Sequence, residues 1–291
     1  MYLTIAQLLT LTPLIFSPCQ ASTVLALNEP TAITTIDLQS SGPSVKISPS
    51  IGAISIEFCY ITDYLGFPQQ PNLLSLQLLQ NIQDRTGTSP VIRIGGDTQD
   101  VARFCPNCTA TLTNIFNPGN TEAISVTFGQ GLFRVLNENV PSTQEFVFGL
   151  NLAGDNVEFP LAEVAAAIKY LQPERLKSFE LGNEPDYYSV QRPDGWNVDI
   201  YAEQVTSWIA QIQESVGEGK VKWQLGAIAH PPIYMGNFSL VELGILGVEK
   251  QLGTGAVTSL SDHTYPFSLC DRTYHSAKFS VLFTSMMEAI Y

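Results

Sequence analysis

The sequence predicts an α/β protein built on a (β/α)8 barrel of the TIM type, with about six of its strands present. Three observations lead there. Strand-like and helix-like apolar rhythms alternate from residue 51 to residue 265, which is the mark of βαβ units around a parallel sheet. Chemically capable side chains stand where several of those strands end, as they do at the mouth of a barrel. The chain also carries neither a G-x-G-x-x-G turn nor a P-loop, one of which an open doubly wound sheet would place after an early strand. The length of 291 residues suits a barrel, which needs roughly 250.

The elements follow in order. Residues 24–48 alternate apolar and polar and read as two or three short strands ahead of the barrel. Residues 51–58 form the first barrel strand. Residues 73–82 have helical spacing, with Leu73, Leu74, Leu76, Leu78, Leu79 and Ile82 apolar. A strand over 91–94 runs into Gly95-Gly96, and another covers 146–150. An alanine-rich helix spans 161–171. The strand 177–181 closes on Gly182-Asn183-Glu184. Asn197 then caps a helix whose apolar face is Val198, Tyr201, Val205, Trp208, Ile209 and Ile212. A strand over 221–225, a helix over 240–252 and a strand over 260–265 complete the pattern.

Residues 1–21 read as a secretory signal peptide cleaved after Ala21. They contain no Asp, Glu, Lys or Arg, their apolar stretch is too short to span a bilayer, and small residues follow it. The n-region lacks the usual positive charge. Secretion to the extracellular space is the expected localisation. Domain boundaries follow: 1–21 signal, 22–50 N-terminal strands, 51–268 barrel, and 269–291 a tail outside the pattern.

Acidic residues outnumber basic ones 27 to 14, for a net charge of −13. That excludes a nucleic-acid partner and an anionic lipid surface, both of which would repel the chain. No stretch beyond the N-terminus is long and apolar enough for a membrane span. Of the five cysteines, Cys19 leaves with the signal. Cys105-Pro106-Asn107-Cys108 has no second pair at zinc spacing, so a structural bridge in a surface loop is expected, with no metal. Asn107 and Asn237 head Asn-x-Ser/Thr triplets and are candidate glycosylation sites.

Four strand ends carry the chemistry: Glu57; Asp97 after Arg93-Ile94-Gly95-Gly96; Asn183-Glu184; and Asp262-His263-Thr264-Tyr265. A carboxyl that cleaves a glycosidic bond donates its proton to the leaving oxygen. Such a donor must hold its proton near working pH, which burial or a neighbouring negative charge achieves. A Glu on a barrel rim, fixed by Pro185, suits that task. Asn183 can bond a sugar hydroxyl, and Tyr187-Tyr188 can stack on sugar faces. A solvated, idle loop is the alternative for a lone strand-end Glu. A G-x-S-x-G serine nucleophile is absent.

Asn183-Glu184-Pro185 resembles the acid/base motif of the clan A glycoside hydrolases. With Glu57, the Arg93-Ile94-Gly95-Gly96-Asp97-Thr98 run and His263-Thr264-Tyr265-Pro266, the chain is similar to glycoside hydrolase family 79, the β-glucuronidases and heparanase-like enzymes, from about residue 24 to 268. The resemblance implies a retaining mechanism, no cofactor, a β-linked glucuronide as substrate, and a flanking β-sandwich built partly from the N-terminal strands. It implies Glu184 as acid/base, Asn183 as partner of the sugar 2-hydroxyl, and Glu57 and Asp97 as sugar-binding groups. Tyr265 would contact the nucleophile or the sugar, His263 would face the ligand or be structural, and Arg93 would support the site from beneath.

A retaining pair sets its two carboxyls roughly 5 Å apart. The family places its nucleophile, a Glu, at the end of strand seven. Few residues follow Tyr265, and Glu288, preceded by Met286-Met287, does not match that motif. The nucleophile is therefore not identified, the pattern looks C-terminally truncated, and little hydrolysis is expected. A non-catalytic carbohydrate-binding protein, or a xylosidase or arabinofuranosidase of the same clan, are the alternatives.

Overall fold

The computed structural model describes residues 51–192, 195–217, 219, 221–229 and 238–263. The expected signal peptide, N-terminal strands and C-terminal tail lie outside them, as do Asn237 and Tyr265. The strands among the described residues are β1 (Ala53–Glu57), β2 (Gly66–Phe67), β3 (Gln70–Pro71), β4 (Val91–Gly95), β5 (Ala102–Phe104), β6 (Leu112–Phe116), β7 (Ala123–Phe128), β8 (Phe146–Leu150), β9 (Leu176–Leu181), β10 (Trp223–Ile228) and β11 (Val257–Asp262). The helices are α1 (Ile61–Leu65), α2 (Leu73–Thr86), α3 (Gln130–Glu138), α4 (Glu158–Tyr170), α5 (Val198–Val216), α6 (Leu240–Ile245) and α7 (Val248–Leu252).

Six strands form one sheet in the order β1-β4-β8-β9-β10-β11, and every pairing in it is parallel. The order never reverses, so the sheet has no switch point of the kind a doubly wound fold requires. It is the order of successive barrel strands, and the sheet forms an incomplete TIM-like barrel. Burial explains the compositions. Phe-Val-Phe-Gly-Leu in β8 is buried at every position, as a parallel strand covered on both faces must be. β11, at one sheet margin, is half-exposed to exposed throughout.

The core is aromatic. Phe58 packs on Phe128 with ring centroids 5.2 Å apart, and Phe133 stacks on Phe148 at 5.9 Å. Arrangements of this kind add about 0.5–1.5 kcal/mol per pair beyond the area buried. Asn72 caps α2 and Asn197 caps α5, each side chain accepting from two backbone N–H groups of the first turn.

Three elements differ from the sequence expectation. The strand expected over 221–225 lies at Trp223–Ile228, and that expected over 260–265 at Val257–Asp262. The helix expected over 240–252 is two short helices, because Gly247 adopts φ 68° between them. A side sheet was not expected at all: β7 pairs parallel with β5 and antiparallel with β6. It is inserted after β4, and the loop joining β5 to β6 carries the Cys105–Cys108 bridge. Asn107 lies exposed in that loop. No helix among the described residues is long and apolar enough to cross a membrane.

Candidate active site

Parallel strands deliver their C-terminal ends to one rim, and the sequence-predicted residues fall along it. Glu184 follows β9 by way of Gly182, which takes φ 84°. A Cβ on Gly182 would come within 2.8 Å of Leu152 and of the Tyr188 hydroxyl, so only glycine fits. Glu184 is itself left-handed, at φ 49° and ψ 53°. A non-glycine residue held there stores about 1–3 kcal/mol and marks a functional position more often than a structural one. Its N–H donates to the Ala227 carbonyl at 2.8 Å, and Ala227 too has φ 49°. The strain is thus shared between the ends of β9 and β10. His263 closes the third side. Its N–H donates to the Ile228 carbonyl at 2.7 Å, and its Nδ1 meets Glu184 Oε1 at 2.9 Å.

Beneath the rim runs a belt of polar side chains across the sheet. Arg93 of β4 pairs with Glu180 of β9, its Nε donating to Oε1 at 2.7 Å. It also donates to Ser55 of β1 and, at 2.8 Å, to Asn183 Oδ1. Gln224 of β10 donates to the other Glu180 oxygen, and Ser259 of β11 donates to Gln224. β8 contributes Gly149, where a Cβ would meet the Gln99 side chain at 2.3 Å. Glu180 is 1% exposed, so it depends on this compensation. The carboxylate that Arg93 pairs with is Glu180. Neither Glu57 nor Asp97 is paired with it.

Asn183 Nδ2 donates to Asp97 Oδ1 at 2.7 Å, so Arg93 and Asp97 fix the amide's orientation between them. Glu57 accepts from the Thr98 N–H at 2.7 Å and from the Thr98 hydroxyl. Gly96 makes this possible, because a Cβ there would lie 1.8 Å from Glu57 Oε2. The side sheet adds Glu122, which hydrogen-bonds Asp97. Desolvation, then the charges of Asp97 and Glu57, push its carboxyl above the ordinary range.

Sequence reasoning missed Asp100, the residue that ties the rim together. One of its oxygens accepts from the Leu152 and Ala153 N–H groups at 3.0 and 3.2 Å. The other accepts from the Asn183 N–H at 3.0 Å and from the Tyr188 hydroxyl. Burial raises its pKa to about 6, against the lowering effect of those bonds. Tyr188 corrects an expectation: it is buried against Asp100 and stacked on Trp196, so it offers no face to a sugar. Tyr187 is exposed and lines the cleft described below. A single signal was available, the repeated acid in Asp97-Thr98-Gln99-Asp100.

A cleft of about 680 Å³ opens at this rim, within the range of small-molecule sites. Asp97, Asn183, Glu184, Tyr187 and Gln191 line it together with the side-sheet residues Arg103, Ser125 and Thr127. Glu57 and His263, the latter in contact with Glu184, lie off the cleft lining. No cluster of His, Cys, Asp and Glu among the described residues is arranged to hold a metal.

No family model matches the chain. It is 34% identical over 176 residues to a β-glucuronidase of Aspergillus niger, a match covering 57% of this chain and 32% of that protein. It is 30% identical over 197 residues to a β-glucuronidase of Neurospora crassa, covering 64% of this chain and 35% of that one. The chain thus spans about a third of the length of these curated relatives. In structure it resembles a 4-O-α-L-rhamnosyl-β-D-glucuronidase from Fusarium oxysporum 12S, solved with Rha-GlcA, at a TM-score of 0.65 and 23% identity. That likeness covers 77% of this chain and 46% of the other and shows the shared fold. In sequence the chain is similar to β-glucuronidases, the resemblance that its motifs suggest.

Proposed function

We propose that this chain carries the acid/base half of a secreted retaining glycoside hydrolase that acts on β-linked glucuronides, with Glu184 as proton donor. The observation that carries the reading is the placement of Glu184. It is a partly exposed carboxyl in left-handed backbone at the end of a barrel-type strand, against His263 and beside an open cleft. Asn183, held by Arg93 and Asp97, is poised to bond a hydroxyl next to the reacting carbon. Glu57 and Asp97 supply acceptors for the terminal sugar. In the reaction Glu184 would protonate the departing oxygen and then, deprotonated, activate water. Tyr265 would join the sugar-binding set, and Asn107 and Asn237 would carry glycans.

The second carboxyl is not assigned, and the family resemblance places it beyond the sixth strand. The rim residues named above are expected to bind a glucuronide. Titration of an aryl β-glucuronide, with turnover followed in parallel, tests the reading. Wild type and Glu184→Gln should both bind. Any turnover by wild type should fall about 10²–10⁴-fold in the variant, and most for poor leaving groups. Absence of glucuronide binding by either form would refute it.

A further inference from the structure

The cleft lined by Glu184 is also lined by residues of the side sheet, which differ chemically from the acidic and amide groups of the rim. Among the described residues that line it, Arg103 is the only basic side chain. Arg103 is exposed on β5 of the side sheet, in a chain of net charge −13. Its guanidinium carbon lies 4.0 Å from the centroid of the Phe159 ring. It has no hydrogen-bonded or ion-paired partner among the described residues. Contact with the ring leaves the N–H fork available, and such a fork suits bidentate recognition of a carboxylate.

Phe159 is held in turn by Gly154, where a Cβ would come within 2.9 Å of the ring. Gly154 lines the same cleft, and so does the exposed ring of Tyr187. Of the groups assigned above to the terminal sugar, Glu57 and His263 lie off the cleft lining, whereas Arg103 and Tyr187 line it together with Glu184. An acid delivers its proton to the side on which the leaving group departs.

We propose that Arg103, Phe159 and Tyr187 form a leaving-group subsite selective for an anionic aglycone, either a second uronic acid or a carboxylated aromatic. Tyr187 would stack on its ring and Arg103 would fork its carboxylate. This rests on the glucuronidase reading of Glu184 and deepens it.

The test compares 4-carboxyphenyl β-D-glucuronide with its 4-carbamoylphenyl isostere, and each with the matching glucoside. Binding is measured by calorimetry on wild type, Arg103→Ala and Arg103→Lys. The carboxylated glucuronide is expected to bind wild type about 5–10-fold tighter than the amide. Raising salt from 20 to 500 mM should erase that preference, as it does for partly exposed ion pairs. Arg103→Ala should abolish it while leaving amide binding within about twofold, and Arg103→Lys should keep part of it. Circular dichroism confirms that the variants fold, and the salt series needs no variant.

If both glucuronides bind equally to wild type at low salt, the subsite inference is overturned and the glucuronidase reading stands. If Arg103→Ala weakens both glucuronides alike but not the glucosides, Arg103 serves the terminal sugar, which also overturns it. If no glucuronide binds, both fall together.

Discussion

Glu180 and Arg93 show how a single buried charge governs the site. Glu180 has lost its water, and Arg93 and Gln224 replace it. Removing one partner of such a pair costs about 3–5 kcal/mol, because the other is left uncompensated. Arg93→Met should therefore lower the urea midpoint by that equivalent and free Asn183 to rotate. Glu180→Gln keeps one acceptor but leaves the guanidinium without its counter-charge and turns an N–H2 toward the Arg93 or Gln224 donor, so it too should destabilise. A variant as stable as wild type in urea unfolding would show that the pair carries no structural weight.

Asp100 and Glu163 set the pH response at the same scale. Glu163 is fully buried on α4. One of its oxygens accepts from the Asn151 N–H at 3.0 Å, and the other has no partner among the described residues. Burial raises its pKa well above the ordinary range, as burial raises that of Asp100 to about 6. Both folded-state values lie above the unfolded ones. The stabilisation they give is complete below the unfolded pKa, about 4 for an Asp, and is lost as pH rises through about 6 for Asp100. Thermal midpoints should fall between pH 4 and 6.5. Asp100→Asn, though less stable throughout because its amide faces the Asn183 N–H, should flatten that slope. An unchanged slope would locate the titration elsewhere.

At the scale of elements, the turns that shape the rim are glycine-dependent in specific ways. Gly96→Ala would place a methyl on the Glu57 carboxylate and should dislodge it from Thr98. Glucuronide affinity, measured by calorimetry, should drop at least tenfold with the helices unchanged by circular dichroism. Asn72→Ala removes a cap remote from the rim and should cost about 1 kcal/mol with affinity intact. The same contrast explains what could be read from the sequence. β4, β8, β9 and α5 were legible because long apolar periods and a cap residue fix them locally. The side sheet was not. β5 has three residues, and β6 carries Asn114, whose side chain donates to the Cys59 carbonyl 55 positions away. Short strands of that kind are defined by partners, not by pattern. Glu184 was legible because its motif is contiguous. Asp100, Glu122 and Arg103 were not, because their meaning depends on chain segments brought together from far apart.

Among the described residues, the middle strands of the sheet are buried and exposed apolar side chains gather near its two outer strands, β1 and β11. Beside β1, α2 exposes Leu73 and Leu74 at 72% and 70%. Beside β11, α6 exposes Val241 and Ile245 at 62% and 71%, and β11 itself exposes Leu260. Apolar surface exposed near a sheet margin favours association. Sedimentation velocity on the isolated chain should show species heavier than the monomer that grow with concentration. Leu74→Lys with Ile245→Lys should shift the distribution toward monomer. A strictly monomeric profile at tens of micromolar would contradict this.

Ser259 gives the β11 margin a grammar. Among the described residues its hydroxyl is the last member of the row of bonds that begins at Ser55, donating to Gln224 and keeping its own acceptor capacity. A complementing peptide with a donor such as Gln or Asn at the facing position would extend the row, and one with Leu there would end it at Ser259. A peptide library laid against that margin should sort by this one position before any other.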